Sequence, residues 1–226
     1  MALEKKDFIE IEFTGKVKDG EVFDSNVKKE LEKLHHGHQH EIVAKPFIFA
    51  LGEGMFIKGA DEFLIGKDVG EYKIPLTPEK AFGKRDPKLI RMVPLNEFKK
   101  NNLNPIPGSV FNFDGKVAKV LTVSSGRVIV DFNHPLAGKN LEYQVKILRK
   151  VEDLNEKVKA LNEFFFQNNF DFKVSGKKLI IKVPKGVKEL ALLFKDKYKD
   201  LLDLEIFPEE IEEKAPEKEE KSEGKN

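Results

Sequence analysis

Apolar and polar side chains alternate along Ile9, Ile11 and Phe13, interleaved with Glu10, Glu12 and Thr14, and the same two-residue period returns at Leu141, Tyr143, Val145 and Ile147. A strand with that period has one face to bury, so the late strand is placed to return to the sheet that the early one begins. Everything between them must leave that sheet and come back. Asp19-Gly20 supplies a hairpin turn after the first strand. Ser25 then caps a helix carrying Val27, Leu31 and Leu34 at helical spacing. A strand from Pro46 to Leu51 leads to a short helix with Ile57, Ala60, Phe63 and Leu64 on one face before Gly66, and another strand runs through Tyr72, Ile74 and Leu76.

From Lys84 to Asp131 the character changes. Nine Lys or Arg stand against four Asp or Glu, with Pro87, Pro94, Pro105 and Pro107 among them, and Gly108, Gly115 and Ser124-Ser125-Gly126 punctuate short runs that suit β-hairpins. This stretch reads as an insertion. Beyond residue 151 the pattern predicts an α+β unit: a helix with Leu154, Val158, Leu161 and Phe165, two strands meeting at Ser175-Gly176, one helix with Leu190, Phe194, Tyr198 and Leu201, and a last strand at 204–207. From Glu209 onward eight Glu and four Lys without an aromatic predict a disordered tail. The domains are thus 1–83 plus 132–151, an insert at 84–131, a C-terminal module at 152–207 and a tail at 208–226.

A net charge of +1, from 40 basic and 39 acidic side chains, argues against a nucleic-acid binder. The absence of cysteine excludes disulfide scaffolds, thiol catalysis and cysteine-ligated zinc. No apolar run approaches a membrane span and MALEKKDFIEIEF lacks an apolar leader core, so the reading is a soluble cytoplasmic protein.

The segments FTGKVKDGEVFDS (13–25), PFIFALGEGMFIKGADEFL (46–64), VGEYKIPLTPEKAFG (69–83) and LEYQVKIL (141–148) resemble, in order, those of FKBP-type peptidyl-prolyl isomerases. NHPLAGKNL (133–141), following an insertion after AFG, resembles the long SlyD-like branch and its archaeal members. The likeness covers about residues 7–150 and adds nothing for 152–226. It implies an FKBP-like bent antiparallel sheet around the short helix with a small β-rich inserted domain; with the C-terminal α+β module that the residue pattern predicts, the fold class is α+β.

Carried over by position, the resemblance lines a proline pocket with Phe13, Phe23, Asp24, Phe47, Phe56, Ile57, Phe82 and Tyr143. Ala60 stands at the floor position where the family commonly has Trp or Leu, which enlarges the floor, and Phe82 replaces the tyrosine of the family's A-Y-G motif. Tight macrolide binding is therefore not implied. Turning an X-Pro bond breaks no covalent bond, so neither nucleophile, general base nor cofactor is required, and the absence of a triad fits. Taken singly these residues read as sheet core, and Asp24 as a helix cap; together, at family spacings, they read as a pocket.

In the insert, Ile90, Met92, Val93, Leu95, Phe98 and Phe111 either build its own core or line a groove; by resemblance to SlyD-like proteins such a groove holds unfolded or nascent chains and delivers their X-Pro bonds. His35, His36, His38 and His40 form either a divalent-metal site, for nickel or zinc, or a solvated loop. A holdase without turnover and a metal-delivery protein are the rival functions. Phe164 and Phe166 beside Phe165 give the first C-terminal helix aromatic surface in several directions, which predicts a homodimer through that module.

Overall fold

A computed structural model describes residues 2–34 and 44–211. Strands β1 (Phe8–Val17), β2 (Val22–Ser25), β3 (Phe47–Ala50), β4 (Gly70–Leu76) and, after the insertion, β9 (Leu141–Lys150) build one sheet in the order β2-β1-β9-β4, with β3 also paired to β1. Every pairing is antiparallel, and β9 does return beside β1, Phe13 opposite Val145 and Gly15 opposite Tyr143. Asp19 takes φ 57° in the β1–β2 turn, a left-handed conformation that Asp tolerates better than most residues. Helix α1 (Lys28–Leu34) follows; Ser25, expected to cap it, ends β2 and accepts from Val27 N–H at 3.1 Å in the turn before the helix, whose first bonds run from Glu30 and Leu31 N–H to Val27 O.

Helix α2 (Lys58–Leu64) packs Gly59, Ala60, Asp61 and Leu64 into the sheet. The expected inward face included Phe63, which instead is exposed. Asp61 turns inward in its place because its carboxylate accepts from the backbone N–H of Gly52 at 2.7 Å and of Gly54 at 3.1 Å. Gly59 permits the close fit, since a Cβ there would lie 2.7 Å from the Lys80 carbonyl oxygen.

The inserted stretch forms a second sheet from β5 (Ile90–Pro94), β6 (Val110–Phe113), β7 (Lys116–Ser124) and β8 (Arg127–Asp131), ordered β5-β8-β7-β6, with helix α3 (Leu95–Lys100) between β5 and β6. It has its own core of Phe98, Ala118, Val120, Val128 and Val130. The two connecting segments are stapled together where Gly138 N–H donates to Gly83 O at 2.8 Å and where Arg85 pairs with Asp131.

The C-terminal residues give α4 (Leu154–Phe166), β10 (Phe172–Ser175), β11 (Lys178–Pro184), α5 (Lys188–Leu193), α6 (Lys195–Leu202) and β12 (Glu205–Ile211), with β11 antiparallel to β10 and parallel to β12. Two expectations need correction. The single second helix is two, broken at Phe194, whose N–H bonds back to Ala191 O while the helical pattern resumes after it. The last strand runs on through 208–211, residues assigned to the tail, because seven parallel pairs from Lys178↔Glu205 to Pro184↔Ile211 hold it.

This unit does not stand apart. Val158, Leu161, Leu179, Ile181 and Tyr198 belong to one continuous core with Phe8, Ile9 and Phe49 of the first sheet. Ion pairs rim the junction: Arg149 forks onto both Glu156 carboxylate oxygens at 2.9 Å while its Nε donates to Glu10 at 2.6 Å, Lys45 meets Glu163 at 2.6 Å, and Lys197 meets Glu53 at 2.9 Å.

Candidate functional site

A cavity of about 980 Å³ opens beside the first sheet. Phe13 reaches it from β1, Asp24 from β2, Phe47 from β3, Phe56 and Ile57 from the segment before α2, Phe82 from the turn after β4, and Tyr143 from β9. The rings pack edge to face: Phe13–Phe56 at 5.1 Å between centroids and Phe56–Tyr143 at 5.5 Å and 87°. Such contacts fix ring positions as well as burying area, so the wall is stiff.

Two of the expected pocket residues lie outside the lining. Phe23 stands against rings that do line it, 5.9 Å from Tyr143 and 6.2 Å from Phe82. Ala60 is fully buried beneath, and Met55 contributes to the wall beside Phe56 and Ile57, so the expected enlargement of the floor by Ala60 does not describe this cavity. Gly15 makes room for the ring opposite it: a Cβ there would come 2.8 Å from Tyr143 Cζ and 3.1 Å from Phe23.

The charged side chains of the cavity, Glu10, Lys45, Glu156, Lys159 and Glu163, line its outer half, and Asp24 and Tyr143 are the ionisable groups of the aromatic slot. Asp24 keeps solvent exposure at the mouth, yet desolvation by the surrounding walls lifts its carboxyl above the ordinary value, partly offset by the Ser25 backbone N–H. Burial raises the Tyr143 hydroxyl, and the nearby Asp24 charge adds to it, so Tyr143 stays protonated. The arrangement offers an aromatic slot with one hydroxyl and one carboxylate at its edge, and among the described residues no cluster of three or more metal-ligating side chains.

Several residues that the sequence pattern did not single out shape this site. Asn26 accepts from Phe13 N–H at 2.7 Å and donates to Ile11 O and Lys45 O, pinning the segment that leads into β3. His134 stacks on Phe82 at 4.3 Å and 4° while its Nδ1 accepts from Leu136 N–H. Glu156, Ala160, Glu163 and Phe164 of α4 line the outer half of the cavity. His134 falls within NHPLAGKNL and Phe164 was expected only as a dimer surface, so neither was read as part of the site, and only the docking of α4 against β3 brings that helix there.

In the insert, Met92 is 57% exposed, while Ile90, Val93, Leu95 and Phe111 are half-buried. Phe98, a groove candidate, is corrected to core: it is 2% exposed, with Phe111 and Phe113 packed edge-on against it. Ile106, Val110 and Val117, not singled out before, are each more than half exposed. The run His35, His36, His38 and His40 lies outside the described residues.

A family model described as the FKBP26 IF domain matches residues 91–136. Over 146 residues, 64% of this chain and 92% of the relative, the chain is 34% identical to a short-type peptidyl-prolyl cis-trans isomerase of Methanocaldococcus jannaschii. It is 32% identical over 110 residues to the FKBP-type 16 kDa peptidyl-prolyl cis-trans isomerase of Escherichia coli, covering 46% of this chain and 73% of that one. It is 33% identical over 144 residues to the FKBP-type isomerase SlyD of Aeromonas hydrophila, covering 62% and 60%.

Proposed function

The chain belongs to the FKBP-type peptidyl-prolyl cis-trans isomerases and is SlyD-like, and from that premise we infer where and how the X-Pro bond turns in it. The barrier to rotation, about 18–20 kcal/mol, is the loss of amide conjugation near a 90° twist. A twisted amide is less polar than a planar one. An apolar slot therefore stabilises it relative to the planar ground state, and the gain is realised only in the transition state. Phe13, Phe56 and Tyr143 clasp the proline ring in this reading, and the Tyr143 hydroxyl, held protonated, donates to the substrate backbone. Asp24 at the mouth orients the substrate or answers the changing amide dipole, without proton transfer.

The observation that carries this reading is the convergence of Phe13, Phe47, Phe56, Phe82 and Tyr143, from separate segments, on one cavity. Phe56→Ala opens that slot to water and should lower kcat/KM on an X-Pro tetrapeptide about tenfold, that is by about 1.4 kcal/mol of transition-state stabilisation. An unchanged rate in a folded variant refutes the pocket.

The domain division given above, with the C-terminal module carried on to Ile211, completes the proposal. The 84–131 insert, with Met92, Ile106, Val110 and Val117 exposed, receives unfolded or nascent chains as a chaperone surface. The C-terminal module pairs two copies through Leu190, Leu193 and Phe207, all exposed, and light scattering that gives a monomer at micromolar concentration would refute this. The His35–His40 run takes a divalent metal such as nickel or zinc, without a part in isomerisation; calorimetry against a variant with four serines there tests it, and equal heats refute it. No described helix is long and apolar enough to cross a membrane.

A further inference from the structure

We propose that helix α4 forms a second wall of the substrate site, a subsite for the extended, apolar stretch of the same polypeptide that flanks the bound proline; this rests on the isomerase reading above. The cavity does not end at the aromatic slot. It continues between β3, at Phe47 and Ile48, and one face of α4. Glu156, Lys159, Ala160, Glu163, Phe164 and Gln167 all line it, the i, i+3, i+4, i+7, i+8, i+11 stripe of a single helical face.

From 156 to 167 that face extends about 16 Å at 1.5 Å per residue. An extended peptide advances about 3.3 Å per residue, so the groove spans about five residues. A proline and its immediate neighbours fill the slot alone and leave the α4 half empty. At about 980 Å³ the space lies at the upper end of the roughly 300–1,000 Å³ of small-ligand clefts, more than one ring requires.

The chemistry of the groove names its occupant. In the α4 half three acids, Glu10, Glu156 and Glu163, are balanced by three cations, Arg149, Lys159 and Lys45, so the rim there carries no net charge to select for. These ion pairs also tie α4 and the Lys45 segment into fixed walls. Between them Ile48, Ala160 and Phe164 offer apolar surface, with Phe164 40% exposed although its neighbours Phe165 and Phe166 stack into the module against Phe194. A large aromatic left uncovered at the open end of a substrate cavity is positioned for a side chain of the substrate. Because the groove is one space with the slot, its occupant is the chain that the slot already holds.

The test compares an X-Pro tetrapeptide with a nine-residue peptide carrying Leu and Phe around the same X-Pro centre. The wild-type protein should show a lower KM for the longer peptide, and Phe164→Ala should raise that KM about fivefold with kcat retained, a loss of binding common to ground and transition states. A KM that does not move overturns the subsite. As a second measurement on the unaltered full-length chain, a photoreactive benzophenone residue three to five positions from the proline should label residues 156–167. Labelling confined to residues 84–131 overturns the proposal. A wild-type protein that turns over neither peptide sinks the isomerase reading, a result distinct from turnover with an unmoved KM.

Discussion

Gly15→Ala probes the pocket through a single methyl group. Gly15 lies in β1 opposite Tyr143 and Asp24, and its backbone is not left-handed, so Ala meets no backbone strain there. Replacing glycine at such a position ordinarily stabilises by about 0.4–1 kcal/mol through the unfolded chain. Here the new Cβ would sit 2.8 Å from Tyr143 Cζ and 3.0 Å from Cε1. Ordinary contact begins near 3.4 Å, so the ring must retreat by about half an ångström. It cannot do so freely, since Tyr143 is 2% exposed and wedged among Phe13, Phe23 and Phe56. Overpacking of this kind costs about 1–3 kcal/mol and outweighs the entropic gain, for a net loss of about 1–2 kcal/mol. Isomerisation should fall about tenfold, because the displaced ring is the wall that grips proline. Urea unfolding and a peptide isomerisation assay read the two effects. In a Tyr143→Leu background most of the stability cost should vanish, as a double-mutant cycle would show. A Gly15→Ala protein as stable as wild type refutes the packing argument, and one that is destabilised but fully active refutes the pocket.

Two further outcomes follow from the same geometry. The Asp24 carboxyl titrates above its ordinary value of 3.8 in the folded protein, so between that value and the raised one the folded state holds more proton than the unfolded state, and stability falls as pH rises through the window. Asp24→Asn should remove that fall while lowering isomerisation several-fold; urea midpoints at pH 3 and pH 6 that shift equally in both proteins would contradict the assignment. Deleting residues 84–131 and joining the ends through a short Gly linker should leave tetrapeptide isomerisation nearly unchanged, because Gly83 and Gly138 already bond to each other, while catalysis of protein refolding drops about tenfold. A parallel loss of both activities would make the insert part of the catalytic fold.

The elements that sequence pattern made legible are those whose burial is one-sided and regular. Ile9, Ile11, Val145 and Ile147 alternate because β1 and β9 have one wet face, and Asp19 marks a turn by local chemistry, whereas Ser25, expected as a cap, ends β2 two residues before the Val27 carbonyl that accepts the first bonds of α1. Periodicity failed where a tertiary contact decided instead. Asp61 displaced Phe63 from the inner face of α2 because two glycine N–H groups needed an acceptor. The break at Phe194 carries no Gly or Pro, so the helical spacing through Leu190 and Tyr198 read as one helix. Glu209 and Glu210 look like tail, yet a parallel ladder to β11 holds them extended. Phe98 was indistinguishable from a groove residue until its neighbours were known. At the site, the aromatic slot followed from the order of the motifs; Met55 and His134 sit inside those motifs but take their roles from what packs on them, and Asn26 and the α4 wall depend on which surfaces dock and leave no local trace.

The most direct test of the central claim is exchange spectroscopy by NMR on a peptide containing one X-Pro bond, with the full-length protein added in catalytic amount. Uncatalysed isomerisation takes tens to hundreds of seconds at 25 °C, too slow for cross-peaks between the cis and trans signals. The account predicts that the protein brings exchange into the sub-second range and that Phe56→Ala reduces the exchange rate about tenfold at equal concentration. Cis and trans signals that remain unexchanged in the presence of folded wild-type protein would contradict it.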